Sequence, residues 1–581
     1  MYNKYNGFLW DILNNIYEKY VVMEYTKNHI YERCVIMDNI KLADLLFPNI
    51  TKTPDDYEKE FPKRELPQNA VVTRIGPSPT GFVHLGNLFN AIIGERLAHQ
   101  SGGIIYLRIE DTDNKREVPG AVSILIDAMK QFGVYFDEGA TVDGDNGSYG
   151  PYRQRQRKDI YQCFAKLLVQ KGLAYPCFCT EDELEAMREI QKDKKQNFGY
   201  YGEYAKCRDL TYDEIKAKID AGIPYVLRFK SNGNSENSVK VHDAIKGDLE
   251  IQENYIDLVI LKSDGIPTYH FAHVVDDHLM RTTHVIRGEE WLPSLPMHVQ
   301  MFEALGWEHP IYCHTAQLMK MDGESKRKLS KRKDPELGLE YYDGEGYLPE
   351  TIWTYMLTIL NSNFEEWRIA NPDAKYTDFP FSLDKMGSSG MLFDLSKLNN
   401  ISKEIIASKD ADYIYEQLLN WAKKYDSEFA SILEANCEFA KGAINVGRGG
   451  AKPRYDIVTW KQARQFLSFW FDELFEQEDN FPENVDDSTK AEILKKYKQT
   501  FDINDDQETW FGKVRVITDE LGFAVKPKDY KKNPEMYKGS VVDVSNVIRV
   551  ATTGRLNSPD LWEINQLLGE SKVIARIERM I

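Results

Sequence analysis

No apolar run in the sequence approaches the ~18 residues that a membrane-crossing helix needs, so no span is expected. No secretory leader is expected either, because the apolar stretch FLWDIL at 8–13 is short and charges follow it. Cysteine is scarce: the seven present are an odd number without disulfide spacing, which points to a reducing compartment, and the cytoplasm is the expected location. Excess positive charge is missing too. Lys and Arg total 73 against 91 Asp and Glu, a net charge of −18, which excludes a surface coated by nucleic acid. A local basic track remains compatible with that total, because phosphate binding depends on the charge facing the ligand. Two such runs exist, Arg153–Lys158 and Lys326–Lys333. Internal repeats and low-complexity tracts are absent as well. The 581 residues allow roughly three to five domains with a sizeable core.

What the chain does have is concentrated at 71–113, VVTRIGPSPTGFVHLGNLFNAIIGERLAHQSGGIIYLRIEDTD. Val71–Ile75 is short and β-branched, so it reads as a buried strand. Gly76–Gly81, with two prolines, can neither extend a ladder nor open a helix, and reads as a loop. Leu85, Leu88, Phe89, Ile92, Ile93 and Leu97 form a helical stripe, and Gly102-Gly103 ends it. Ile104–Ile109 is a second strand, closed by Glu110-Asp111. Strand, helix, strand predicts a parallel, right-handed βαβ unit whose ligand sits beyond the carboxyl ends of the strands. A helix N-terminus there suits phosphate, and His84 and Asn87 share one face of its first turn. Gly86 leaves room for a flat base near the backbone. The pattern is neither G-x-G-x-x-G nor a Walker A loop.

His84-Leu85-Gly86-Asn87 resembles the HIGH motif of class I aminoacyl-tRNA synthetases, and RIGPSPTGFVHLGN followed by RIEDTD resembles glutamyl-tRNA synthetase. Lys328-Leu329-Ser330-Lys331-Arg332 is similar to the KMSKS loop in the form common in that branch. The resemblance covers about 69–581 and implies an α/β fold. Its parts would be a Rossmann-like catalytic domain, an inserted α+β acceptor-end-binding domain, and an all-α anticodon-binding region of bacterial type. The implied boundaries are 1–68, an N-terminal extension with no match; 69–175 and 266–310, the catalytic halves; 176–265, the insert; 311–399, the KLSKR loop and a tRNA stem-contact domain; and 400–581, the anticodon region. The implied activity is glutamate–tRNA ligation. Glutamate and ATP give glutamyl-adenylate and pyrophosphate, with Mg²⁺ assisting, and the glutamyl group then passes to the 3′ end of tRNA(Glu). A non-discriminating enzyme that also charges tRNA(Gln), and an inactive tRNA-binding regulatory paralogue, are the alternatives. A monomer is the family default.

A glutamate site needs cations for two carboxylates, an anion for the ammonium and a polar group for orientation, and arginine's planar fork matches a carboxylate. By resemblance Arg74, Ser78, Glu110, Tyr269, His273 and Arg287 contact glutamate, with Glu110 on the α-ammonium. His84, Asn87, Lys328 and Lys331 carry the catalytic role by charge stabilisation and positioning. Thr80, Gly81, Gly86, Glu290, Trp291 and Leu329 join them around ATP.

The remaining segments fit this layout. Val118–Phe132 and Asp159–Val169 read as amphipathic helices, and Thr180–Glu183 and Thr211–Glu214 as capping boxes. Tyr225–Lys230 and Lys240–Gln252 read as strands of the insert. Tyr255–Lys262 and Ile266–Val275 flank the hairpin turn signal Ser263-Asp264-Gly265. Thr283–Ile286 is a strand and Leu292–Leu305 a helix. Cys177-x-Cys179 with Cys207 could hold a structural zinc through three thiolates and one further ligand, with buried free thiols as the competing reading. Some members of the family carry a zinc here, with a tyrosine among the later ligands; Tyr201 is the choice in this chain, with Tyr204 or Glu203 as alternatives.

Overall fold

The computed structural model describes residues 37–113, 117–448, 454–478 and 480–581. The readings of residues 1–36 lie outside the described residues. The chain forms two compact units. One takes the described residues up to Lys333 with Leu357–Leu392, and the other Asp334–Met356 with Phe393–Ile581.

In the first unit β1 (Val72–Ile75) is followed by α1 (Leu85–Gln100) and β2 (Ile104–Leu107). β1 and β2 pair in parallel, Val72 with Ile104 through Ile75 with Leu107, as the βαβ reading requires. β3 (Glu138–Ala140) continues the sheet in parallel, and β4 (Asp145–Asn146) closes it antiparallel. Then come α2 (Lys158–Gln170), β5 (Ala174–Cys177), β6 (Val226–Phe229), β7 (Ser238–Asp243), β8 (Gly247–Gln252) and β9 (Val259–Leu261). α3 (Tyr269–Leu279), β10 (His284–Gly288), α4 (Leu295–Leu305) and β11 (Ile311–Thr315) complete the wall of the cleft. β12 (Leu318–Asp322) and β13 (Ser325–Lys328) form a hairpin that leads into Leu329–Arg332. The Thr283 N–H donates to Val72 O, joining the edge of β10 to β1, and β10 pairs in parallel with β11.

Two strand readings are corrected. β7 and β8 do form a hairpin, but β7 pairs with β11, so the hairpin extends the β10–β11 sheet and does not join β6. β5, β6 and β9 form a separate three-stranded sheet. Ile266–Val275 is not a second hairpin strand. Only Pro267 bridges back to Leu261, and α3 begins at Tyr269. Phe271, Ala272, Val274, Val275 and Leu279 are buried at helical spacing, so the 3.6-residue period prevails over the turn signal. Both capping boxes form: Thr180 Oγ1 accepts from Glu183 N, Thr211 Oγ1 accepts from Glu214 N, and each glutamate accepts in return.

Residues 37–68 fall within the first unit. Arg281 holds Glu58 and the Phe61 carbonyl, and Arg64 pairs with Glu138 at 2.9 Å.

Beyond Leu395 the described residues of the second unit form helices and loops with a single isolated bridge, Ala524 to Ser540, in agreement with the all-α reading. Asp394, Asp410, Asp426, Asp486, Asp506 and Asp560 each cap a helix N-terminus with a side-chain oxygen.

The basic run Arg153–Lys158 is mostly structural. Arg157 is fully buried between α2 and α3, with Nε 2.6 Å from Asp276, and Asp276 also accepts from Tyr161 and Gln154. Arg153 is held by Asp145 and two backbone carbonyls. By contrast, Lys326, Lys328 and Lys331–Lys333 are exposed. Asp276→Ala leaves Arg157 buried without its partner. A loss of about 3–5 kcal/mol is expected, read as a lower urea midpoint of the first unit.

Candidate active site

The parallel strands deliver their C-terminal residues to one rim. β1 supplies Arg74, β2 runs on to Glu110, and β10 ends in Arg287 and Gly288. A cleft of about 1150 Å³ opens there, lined by Arg74, Ser78, His84, Asn87, Glu110, Tyr269, Arg287, Glu290 and Trp291 among others. Nine residues singled out in the sequence therefore share one cavity. Thr80 and Gly81 line a smaller adjoining space of about 230 Å³, which His84 and Asn87 also border.

The floor is an ion network. Arg74 Nε lies 3.3 Å from both carboxylate oxygens of Asp277. Arg108 donates to Asp277 and, at 2.9 Å, to Glu110. Asp276 and Arg157 adjoin it, with Arg108 Nε 3.8 Å from Asp276. All six groups are at most 9% exposed. Burial opposes the charge of Asp277, yet Arg108 and Arg74 hold its carboxyl well below the usual range. Burial raises the Glu110 carboxyl against the pull of Arg108 and Arg74. An ammonium group beside Glu110 would favour its charged form.

Arg287 differs, because it touches no carboxylate among the described residues. Its Nε donates to His314 Nε2 at 3.0 Å, Nη1 lies 3.2 Å from His298 Nδ1, and Nη2 is buried without a partner. An orphaned guanidinium N–H is costly, and a carboxylate ligand is its natural complement. Tyr269 lies against Trp291, ring centroids 4.4 Å apart, forming an aromatic wall.

At the mouth, the His84 N–H donates to Asn87 Oδ1 at 3.0 Å, which closes the first turn of α1. Burial, with Lys328 adding and Glu290 opposing, holds the His84 imidazole below its ordinary range. Glycine at 86 keeps the space beside the ring, since a Cβ there would lie 3.0 Å from it. Lys331 Nζ sits 3.9 Å over the Phe82 ring, so the KLSKR segment reaches the loop that precedes His84. Leu329 is buried and donates its N–H to Leu318 O.

His273 is corrected. It lies one helical turn beyond Tyr269, fully buried behind it, with Nδ1 2.7 Å from Asp277 and Nε2 3.1 Å from Tyr312 Oη. It supports the wall instead of lining the cleft, and burial lowers its pKa to about 3.

Tyr201 is also corrected. Its hydroxyl donates to Asn197 O, away from the cysteines, whereas Tyr200 Oη lies 3.3 Å from Cys179 Sγ and accepts from Cys207 N–H at 3.0 Å. Adjacent tyrosines here point opposite ways, which spacing from Cys207 could not resolve. The three sulfurs lie within 4.8 Å of one another, with Cys179 and Cys207 3.8 Å apart. That matches the edge of about 3.8 Å of a tetrahedral site with Zn–S bonds of about 2.3 Å.

The sequence reading did not single out Arg108, Asp277, Asp243, His298 or His314. Most of their partners lie far along the chain, such as Asp277 for Arg108 and Asp243 for His314.

Residues 70–371 match the family described as tRNA synthetases class I (E and Q), catalytic domain, and 538–581 match an anticodon binding domain. The fold and cleft are thus those of a class I aminoacyl-tRNA synthetase. A glutamate–tRNA ligase of Acetivibrio thermocellus is 56% identical over 546 residues, covering 94% of this chain and all of that one. One from Clostridium perfringens is 52% identical, covering 92% and 99%. A crystal structure of a glutamate tRNA ligase from Elizabethkingia meningosepticum in complex with its amino acid aligns with TM-score 0.71 and 28% identity, covering 88% and 99%. The chain belongs to the bacterial-type glutamate–tRNA ligases, ATP-dependent enzymes that join L-glutamate to tRNA.

Gly76 packs on the Glu110 carboxylate, and a Cβ there would stand 2.3 Å from Oε1. Because Arg108 pins that carboxylate, Gly76→Ala should displace it. The expected outcome is a KM for glutamate raised about tenfold or more with the KM for ATP little changed, measured by steady-state aminoacylation.

Proposed function

We propose that glutamate binds with its ammonium at Glu110 and its two carboxylates at Arg74 and Arg287, against the Tyr269–Trp291 wall. One observation carries this reading: Arg287 Nη2 is buried with no partner and belongs to a residue that lines the cleft. The charges favour an acid over its amide. Arg74, Arg108 and Arg157 are matched by Glu110, Asp276 and Asp277, and Arg287 stands outside that balance. A glutamate carboxylate can pair with the guanidinium as an ion, whereas the neutral amide of glutamine cannot, and Asp243, the acid behind His314, does not itself contact Arg287.

The α-carboxylate then attacks the α-phosphate of ATP in line and pyrophosphate leaves; the terminal ribose hydroxyl of the tRNA next attacks the carbonyl carbon of the adenylate, forming the ester as the acyl–phosphate bond breaks and AMP and the hydroxyl proton depart. No side chain acts as nucleophile. His84 and Asn87 at the start of α1, with Lys328 and Lys331, bind and orient the triphosphate and neutralise charge as pyrophosphate departs. Thr80, Gly81, Gly86, Glu290 and Leu329 shape the rest of the ATP site, and Ser78 borders the amino acid. Mg²⁺, when bound, neutralises phosphate charge. A zinc held by Cys177, Cys179, Cys207 and Tyr200 would be structural, and the sulfur spacing supports it. We assign acceptor-end binding to the insert, anticodon reading to the helical unit, tRNA(Glu) as the substrate, and a cytoplasmic monomer as the working form.

Charging of purified tRNA(Glu) and tRNA(Gln), measured separately, tests the substrate. Glutamate on tRNA(Glu) alone is expected; charging of both marks a non-discriminating ligase, and charging of neither contradicts the reading. Metal analysis of the purified protein should give one zinc per chain, lost in Cys207→Ser; metal-free wild-type protein contradicts the zinc site.

A further inference from the structure

Arg287 is oriented by a relay that begins on a different strand. Arg287 and His314 are register partners on the parallel strands β10 and β11. Nε–H of Arg287 donates to His314 Nε2 at 3.0 Å, so that nitrogen must be bare. The ring's proton is therefore on Nδ1, which lies 2.7 Å from Asp243 Oδ2. Asp243, the last residue of β7, is itself fixed: its oxygens accept the backbone N–H groups of His314, Ile245 and Lys246. Both side chains are fully buried. Burial works against the Asp243 charge, but His314 and those N–H groups hold its carboxyl below the usual range. On the other side of Arg287, His298 Nδ1 accepts from Nη1 while its Nε2 lies 3.0 Å from His270 Nδ1. The guanidinium is thus held by two imidazoles, with the Tyr269 hydroxyl also beside it, and by no acid among the described residues.

We propose that Asp243 and His314 are positioning residues for amino-acid binding: Asp243 fixes the His314 tautomer, and the bare Nε2 aims Arg287 at the substrate carboxylate without neutralising it. An acid in direct contact would hold Arg287 equally well but would compete with the substrate for its charge. An imidazole supplies direction alone, and the compensating carboxylate stands one ring further away. This proposal rests on the reading that Arg287 binds a carboxylate of glutamate.

The test compares Arg287→Ala, Asp243→Asn, His314→Leu and His314→Gln with the parent in steady-state aminoacylation, with tRNA present and thermal melting as the folding control. Asp243→Asn keeps the shape but favours the wrong tautomer. His314→Leu removes the acceptor, and His314→Gln restores one near the Nε2 position. Asp243→Asn and His314→Leu should raise the KM for glutamate about tenfold or more, with kcat at saturating glutamate and the KM for ATP within about threefold. His314→Gln should recover most of the loss. If Arg287→Ala raises the KM while Asp243→Asn and His314→Leu stay within twofold of the parent, the proposal is wrong and the reading of Arg287 stands. His314→Gln as impaired as His314→Leu also overturns it. An unchanged KM in Arg287→Ala would remove the reading on which it rests.

Discussion

Three arginines and three carboxylates buried under one cleft are the constraint on which the rest of the site depends. Arg74, Arg108 and Arg157 face Glu110, Asp276 and Asp277 at the C-terminal ends of β1 and β2 and on α3. Each is too far from water to be tolerated singly, and each is paired. Such a network gives geometric definition more than stability. It holds Arg74 and Glu110 in fixed directions before any ligand arrives, so little ordering is left for the binding step. α3 is central to this. Its consecutive Asp276 and Asp277 look to different partners, one toward α2 and the other toward the β-strands.

Arg287 lies outside that closed set and touches no carboxylate among the described residues. Its contacts are two imidazoles, the Tyr269 hydroxyl and the Tyr312 ring, 4.8 Å from its guanidinium carbon. Burial lowers the pKa of His270 to about 4 and holds His298 well below its ordinary value, so these rings stay neutral and accept hydrogen bonds. The β7–β8 hairpin matters for the same reason. By pairing with β11 it brings Asp243 behind His314, so the hairpin supports the Arg287 side of the cleft.

The parts of the site that sequence disclosed were those written locally. The β1–loop–α1–β2 unit was legible because strand period, proline loop and helical stripe lie within about forty residues. The capping boxes and the Cys177-x-Cys179 pair were legible for the same reason. What stayed hidden depends on partners remote in the chain. Arg74 and Asp277 are 203 residues apart, and His314 and Asp243 are 71 apart. The choice between Tyr200 and Tyr201 turned on which way two adjacent rings point, and His273 on which face of α3 meets the cleft. α3 itself was obscured by the strong turn at Ser263–Gly265, which does form but hands the chain to a helix after three residues.

The central claim is that Arg287, which touches no carboxylate among the described residues, receives a glutamate carboxylate while Glu110 receives the ammonium. A crystal structure of this chain with L-glutamate tests it most directly. A carboxylate oxygen within hydrogen-bonding distance of Arg287 Nη2, with the ammonium on Glu110, is the result expected. A glutamate bound with both carboxylates away from Arg287, or with its ammonium turned from Glu110, would contradict the account.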